Sequence, residues 1–252
     1  MTTWVFLRGL TRESRHWGSF PEMFRAAIPD AVVVTLDLPG NGRLHELRSP
    51  STVEEMADYC RAELRSQGVL PPYHLLAMSL GAMVAVAWAT SHPEELRGCV
   101  LINTSLRPFS PFYRRLRPAN YVTLLRLILM GGTDRDWEET IYRLTSRRIK
   151  PPTDVLTDWI SYRREYPVSH RNAIRQLLAA ARYRAPLVKP ASRRLILMSK
   201  RDALVDNRCS KQLAHDWKAE IAEHPSAGHD IPLDDGLWVA RQVREWLLLR
   251  IT

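Results

Sequence analysis

The chain has 252 residues, 45% of them hydrophobic, enough to bury one large core and to form one or two domains. Its formal net charge is +9 at pH 7, from 36 Lys and Arg against 27 Asp and Glu, but it carries no zinc finger, basic zipper or aromatic-laced RNA signature, which excludes the familiar nucleic-acid readers. No segment offers about 20 uninterrupted apolar residues, so no transmembrane helix is expected, and Met1-Thr2-Thr3-Trp4 does not open a secretory leader.

In chain order, residues 4–7 read as a short buried strand, followed by Arg8-Gly9-Leu10. A helical stretch from about 17 to 28 leads to a second strand at 32–36, which runs into Asp37-Leu38-Pro39-Gly40-Asn41-Gly42. A helix over about 52–67 is opened by Ser51 or Thr52, with Glu54 and Glu55 in its first turn. Pro71-Pro72 delivers the chain into an apolar strand from Tyr73 to Met78, and a helix from Met83 to Ser91 follows. Residues 98–102 give the next strand. This alternation of strand and helix is what a parallel sheet requires.

From about 105 to 190 the strand signal stops. Helical pieces remain, separated by Pro108, Pro111, Pro118, Gly131-Gly132, Pro151-Pro152, Pro167 and Pro186. The apolar stripe from Tyr121 to Met130 is expected to pack down on the core, with the alternative that part of it lines an acyl pocket. Residues 105–194 hold 19 Lys and Arg against 7 Asp and Glu, a net of +12. That surface reads either as a solvated arginine-rich face or as a field that attracts an anionic substrate or an acidic partner. Beyond it, residues 195–198 form another apolar strand with Ser199-Lys200-Arg201-Asp202 at its carboxyl end. Residues 219–224 then lead to Pro225-Ser226-Ala227-Gly228-His229-Asp230 and a helix at about 235–249.

The segment Ala77-Met78-Ser79-Leu80-Gly81 carries the chemistry. It sets one serine at the apex of a strand-to-helix turn so tight that its flanks need small residues, and Ala77 and Gly81 meet that need. A serine hydroxyl is a poor nucleophile until a base accepts its proton, and Asp202 and His229 follow in the order Ser, Asp, His. Asp206 competes for the acid role, but Asp202 directly follows its strand. Asp37 reads as a turn residue and His224 as structural, while His16, His45, His74, His92, His170 and His215 have no matching acid or glycine context. No metal-ligand spacing is present. Cys60, Cys99 and Cys209 are scattered and odd in number, as suits small buried hydrophobes in a reducing cytoplasm.

Taken together, the elbow around Ser79, the Phe6-Leu7-Arg8-Gly9-Leu10 segment, the Asp37-Leu38-Pro39-Gly40-Asn41-Gly42 loop and Gly228-His229 resemble a small capped serine esterase of the α/β-hydrolase superfamily. The resemblance covers nearly the whole chain. It implies an α/β-hydrolase fold: a mostly parallel sheet of about six strands rather than eight, in a core of residues 1–104 and 191–252, with a helical cap inserted at 105–190. It further implies Ser79 as nucleophile, His229 as general base and acid, Asp202 as its orienting partner, and the backbone N–H groups of Leu10 and Leu80 as the oxyanion hole. Arg8 stands where many relatives carry histidine, so it is expected either to salt-bridge within the loop or to meet a substrate carboxylate. The expected function is cofactor-independent hydrolysis of a small-molecule carboxylic ester with an apolar acyl part, in the cytoplasm. The alternatives are a thioester or a substrate borne on an acidic acyl carrier protein, and a non-catalytic ligand-binding protein on the same scaffold.

Overall fold

The computed structural model describes residues 1–148 and 153–249. The first half alternates strictly: β1 (Thr2–Leu7), α1 (Phe20–Ala27), β2 (Ala31–Leu36), α2 (Val53–Ser66), β3 (Tyr73–Met78), α3 (Leu80–Ser91) and β4 (Leu96–Ile102). Five helices follow before the next strand: α4 (Phe112–Arg115), α5 (Tyr121–Met130), α6 (Asp134–Thr145), α7 (Thr153–Glu165) and α8 (His170–Arg182). The chain then returns to the sheet with β5 (Arg193–Ser199), α9 (Arg208–Trp217), β6 (Glu220–His224) and α10 (Ile231–Leu248).

The six strands form one parallel sheet in the order β2-β1-β3-β4-β5-β6. The chain steps outward from β1 to β2 and then crosses back to place β3 on the other side of β1. The carboxyl ends of β1 and β3 therefore flank the point where the winding reverses, the place in such sheets where loops splay apart and leave a crevice. Leu7 pairs with Ala77 at the top of the two strands, so Arg8-Gly9-Leu10 and Ser79 leave the sheet side by side.

Strand side chains alternate between two buried faces. Val5, Leu7, Leu75, Ala77, Leu101 and Ile196 face α2, α3 and α9, whereas Trp4, Phe6, Leu76, Met78, Val100 and Leu197 face α1 and α10. Every residue of α3 from Leu80 to Ala89 is buried, because the helix lies between the sheet and α2. An apolar run without a polar face is what that position demands.

Two helix starts and one burial pattern are among the departures from expectation. The single helix expected over about 17–28 is divided into a 3₁₀ turn, Ser14–Trp17, and α1, which begins at Phe20 with Pro21 in its first turn. α10 begins at Ile231 because Asp230 caps it, and Asp235 interrupts it with non-helical dihedrals. The stripe on α5 is not uniformly buried: Leu127 is buried, Tyr121 and Leu124 are half-buried, and Val122 and Leu125 are exposed. The side chains of Ile128, Leu129 and Met130 lie outside the described residues, as do Pro151 and Pro152. Among the described residues, no helix is long and apolar enough to cross a membrane.

Packing is tight at the turn from β3 to α3. A Cβ on Gly81 would stand 2.5 Å from the Leu7 carbonyl oxygen and 2.6 Å from that of Arg8. Helix propensity alone favours alanine over glycine by about 1 kcal/mol, so the direction of the Gly81→Ala effect separates propensity from contact. The substitution is expected to lower the unfolding free energy by about 1–3 kcal/mol, read as a lower urea midpoint at unchanged slope. A raised midpoint would show that the turn has slack.

Candidate active site

Ser79 sits between β3 and α3 with φ 54° and ψ −115°, a conformation that L residues other than glycine rarely adopt. Hydrogen bonds on both sides over-determine it. Its N–H donates to Ile102 of the neighbouring strand at 3.1 Å, and its carbonyl accepts from Ala82 at 3.0 Å and Met83 at 3.3 Å. Leu80 is the first residue of α3, where helix geometry leaves an N–H without an intrahelical acceptor and concentrates positive partial charge. Across from it, Gly9 packs on the Ser79 side of the turn: a Cβ there would lie 3.3 Å from the Ser79 Cβ.

His229 follows β6 and is 2% exposed. Its Nδ1 lies 2.7 Å from Oδ2 of Asp202, which sits at the end of β5 and is 4% exposed. The other Asp202 oxygen accepts from the Leu204 and Val205 N–H groups at 2.8 and 2.9 Å, which fixes the orientation of the carboxylate. The opposite ring nitrogen, His229 Nε2, is buried and hydrogen-bonds to no described residue, Ser79 included. Asp206, the competing acid, turns to Arg208 instead at 2.6 Å, and that guanidinium holds its carboxyl low, at about 2.

Ser79, His229, Leu10 and Leu80 line one cavity of about 440 Å³. Its walls are mostly apolar, with Met83, Leu124, Ile141, Leu144 and Leu177 among them, and its floor lies at the carboxyl ends of β1 and β3. Helices α5, α6 and α8, from the segment between β4 and β5, form its far side.

Arg8 forms a salt bridge, but to a distant loop and not within its own as expected. It is 3% exposed, and its Nη1 and Nη2 donate to the two carboxylate oxygens of Asp230 at 3.3 and 2.6 Å. Its guanidinium also covers the Trp17 ring at 4.7 Å. A buried, bidentate ion pair thus ties the loop after β1 to the residue next to His229. Asn103 fastens the histidine loop from another side, donating to the His229 carbonyl at 2.7 Å and receiving the Ser199 N–H at 2.9 Å. Asp234 does so from a third, accepting from Gly228 at 2.7 Å and from Ser146 Oγ at 2.5 Å. Sequence reasoning missed all of these supports, because each joins residues with no shared motif.

The remaining acids and histidines have structural partners. Asp37 accepts from the Ser14 and Arg43 N–H groups and so organises its loop. His224 Nδ1 receives the Ser226 and Ala227 N–H groups. His16 is buried against Arg12, and burial together with that cation pushes its pKa well down. Among the described residues one trio has the spacing of metal ligands, His92, Glu94 and Glu95. Its innermost carboxylate, Glu95, is already met by Arg61, Arg65 and the Trp88 N–H, which hold its pKa at about 2, a poor setting for a further cation.

The sheet winding and the strand-turn-helix geometry at Ser79 define an α/β hydrolase. Residues 4–242 match the model of the Alpha/beta hydrolase family, and the chain belongs to that family. It is 24% identical over 148 residues to the Uncharacterized protein YqjL of Bacillus subtilis, a match covering 58% of this chain and 56% of that one. It is 28% identical over 121 residues to the Probable lysophospholipase BODYGUARD 2 of Arabidopsis thaliana, across 47% of this chain and 25% of that one. The chain thus spans about half the length, or less, of these curated relatives. Among solved structures, the thermophilic esterase from Thermogutta terrifontis superposes with a TM-score of 0.73 at 21% identity, over 98% of this chain and 89% of that one.

The Arg8–Asp230 pair offers a direct test of how the loops are held. Arg8→Met leaves a buried carboxylate without its partner and is expected to lower the unfolding free energy by about 3–5 kcal/mol. The double variant Arg8→Met, Asp230→Asn is expected to lose clearly less than the sum of the two single variants. Additive losses in denaturant unfolding would show that the pair is not coupled.

Proposed function

We propose that the protein is a serine hydrolase that cleaves carboxylic esters through an acyl-enzyme intermediate. Ser79 Oγ attacks the carbonyl carbon while His229 Nε2 takes its proton, and the histidine then returns that proton to the departing alcohol oxygen. Asp202 keeps the proton on Nδ1, so that Nε2 is the basic nitrogen, and stabilises the imidazolium as it forms. The carbonyl oxygen becomes an oxyanion and is received by the N–H groups of Leu80 and Leu10. Water, deprotonated by the same histidine, releases the acid and regenerates Ser79. Each step is carried by side chains and backbone of this chain, so no cofactor is invoked.

One observation carries this reading. The His229–Asp202 bond of 2.7 Å leaves Nε2 as an unpartnered buried nitrogen in the cavity that Ser79 also lines. The missing Ser79–His229 bond is one that forms as substrate closes the site, since such bonds are commonly long before substrate binds. The apolar walls favour an apolar acyl part. The segment 105–190 then serves as a cap over the cleft, with α5, α6 and α8 contributing its lining. Names of similar proteins, an esterase and a probable lysophospholipase, support the same class. The three free, buried cysteines fit a reducing, cytoplasmic setting.

Hydrolysis of p-nitrophenyl esters from acetate to palmitate, by wild type and Ser79→Ala in parallel, tests the reading. Loss of Ser79 is expected to lower kcat by several orders of magnitude, on the order of 10⁶. Equal turnover by both proteins would remove Ser79 from the mechanism. No turnover by either, together with no labelling by a fluorophosphonate, would favour the non-catalytic binder. Labelling without ester turnover would favour a thioester on an acyl carrier.

A finer reading concerns charge. Three arginines line the cavity. Arg8 is matched by Asp230 and Arg12 by Glu138, but among the described residues Arg115 has no carboxylate partner. It donates to the Ala180 and Ala181 carbonyls at the end of α8, its Nε is buried without an acceptor, and burial pushes its pKa down. This uncompensated charge supports an acyl part that ends in an anionic group. With p-nitrophenyl monoesters of dicarboxylic acids set against neutral esters of equal length, wild type is expected to favour the charged ester about tenfold in kcat/KM. Arg115→Gln is expected to abolish that preference and leave the neutral ester within about twofold. An unchanged ratio would return Arg115 to a helix-capping role.

A further inference from the structure

The loop that carries Leu10 is held at its far end by a helix of the segment between β4 and β5. Thr11, the next residue, has φ 57°, a left-handed conformation that a β-branched side chain resists, so the loop needs an external hold. The hold is Gln176 of α8. Its Oε1 receives the Thr11 N–H at 2.9 Å, and its Nε2 donates to Asn41 Oδ1 at 2.7 Å and Ser49 Oγ at 3.0 Å. Asn41 Nδ2 in turn donates to the Arg12 carbonyl at 3.0 Å. Thr11, Arg12, Asn41 and Gln176 therefore close a ring of hydrogen bonds around the outer end of the loop. The Gln176 side chain is wholly buried, at 0% exposure, so its bonds to Asn41 and Ser49 form away from competing water. The donor and acceptor ends of the amide are both matched, which fixes its orientation.

The same helix meets the cavity. Leu177, Ala180 and Ala181 contribute to its wall, and Gln176 lies one helical turn before Ala180. Upstream, Asn172 accepts the Ser49 N–H at 3.0 Å and donates to the Leu47 carbonyl at 2.9 Å, which anchors the start of α8 on the loop after β2. One rigid element thus bears on the acyl part of a bound ester through its apolar residues and on the Leu10–Thr11 backbone through its amide.

We propose that Gln176 is a positioning residue that sets the Leu10 N–H for the oxyanion, and that α8 makes this setting depend on how fully the acyl group fills the cavity. The inference rests on the serine-hydrolase reading. Binding energy from the remote acyl chain is then spent on ordering the oxyanion loop, so acyl length appears in kcat and not in KM alone. No covalent step is added to the mechanism.

The test is kcat and KM for p-nitrophenyl acetate, butyrate, hexanoate and octanoate with wild type, Gln176→Leu and Gln176→Glu. Wild type is expected to show kcat rising with acyl length. Gln176→Leu is expected to lower kcat for octanoate by about 10²-fold, the scale of losing one oxyanion donor, with KM within about threefold and the length dependence of kcat flattened. Gln176→Glu keeps an acceptor for the Thr11 N–H but loses the donor to Asn41 and Ser49, and is expected to recover part of the kcat that the leucine variant loses. A merely structural role would reduce the active fraction, scaling every ester by one factor and leaving KM and the length dependence unchanged; that result overturns the inference. So does a leucine variant whose loss lies wholly in KM. If the leucine variant does not fold, Gln176→Asn, polar but one methylene too short to reach Thr11, is expected to show the same fall in kcat, and wild-type kcat from it overturns the inference. Turnover of no ester by wild type overturns the serine-hydrolase reading itself, a result distinguishable from active wild type with an indifferent Gln176.

Discussion

Two backbones meet at contact distance where β1 and β3 leave the sheet, and the geometry around Ser79 depends on that meeting. Gly81 is needed because the carbonyls of Leu7 and Arg8 pass against it, and at Gly9 a Cβ would press on the Ser79 side chain at 3.3 Å. Parallel pairing of the two strands, with Leu7 opposite Ala77, supplies the register that brings these glycines together. Once the contact is made, the Leu10 and Leu80 backbones come to the same cleft that receives Ser79, and the cavity opens over them. The positive φ of Ser79 is sustained by the strand on its other side, through the bond from its N–H to Ile102. Strain at the turn is thus balanced by regular sheet structure a few ångströms away, which is the usual condition for keeping such strain.

Around this contact, polar groups do work that apolar packing cannot, because loops have few side chains to bury. The loop after β1 is held by Asp230 near its start and by Gln176 at its far end. The histidine loop is held by Arg8, Asn103 and Asp234. Apart from the Gly228–Asp234 bond, which spans six residues, these bonds cross between elements far apart in the chain, and the Arg8, Asp230, Asn103 and Gln176 side chains are nearly or wholly removed from water. Low local dielectric strengthens such bonds and makes an unmatched partner costly, so the network favours one arrangement of the loops over its neighbours.

The basic segment between β4 and β5 is less of a uniform field than its composition implies. Asp134 takes up Arg163 and Arg164, Glu139 takes up Arg135, and Glu165 reaches back to Arg15 on the loop after β1. Arg163 also lies over the Trp137 ring. Much of the arginine content therefore docks the segment onto the core and packs its helices together. Arg115 differs in lining the cavity without an acid partner.

The sequence by itself determined the strand-helix alternation, the six strands, the serine at a small-residue turn, and the order in which Asp202 and His229 follow it. These are local properties: apolar runs of strand length, a glycine two positions after a serine, an acid directly after a strand. The choice of Asp202 over Asp206 as the partner of His229 was legible in the same way, from position at a strand end. Tertiary structure alone decided what Arg8 pairs with, what supports the positive φ of Thr11, and which residues of the α5 stripe face the cavity. Arg8 and Asp230 are 222 residues apart, Thr11 and Gln176 are 165 apart, and neither pair has a spacing or periodicity that distinguishes it from any other arginine, aspartate or glutamine. Such pairings arise only after the sheet winding has set the loop ends next to one another, because burial then requires each polar group to find a partner.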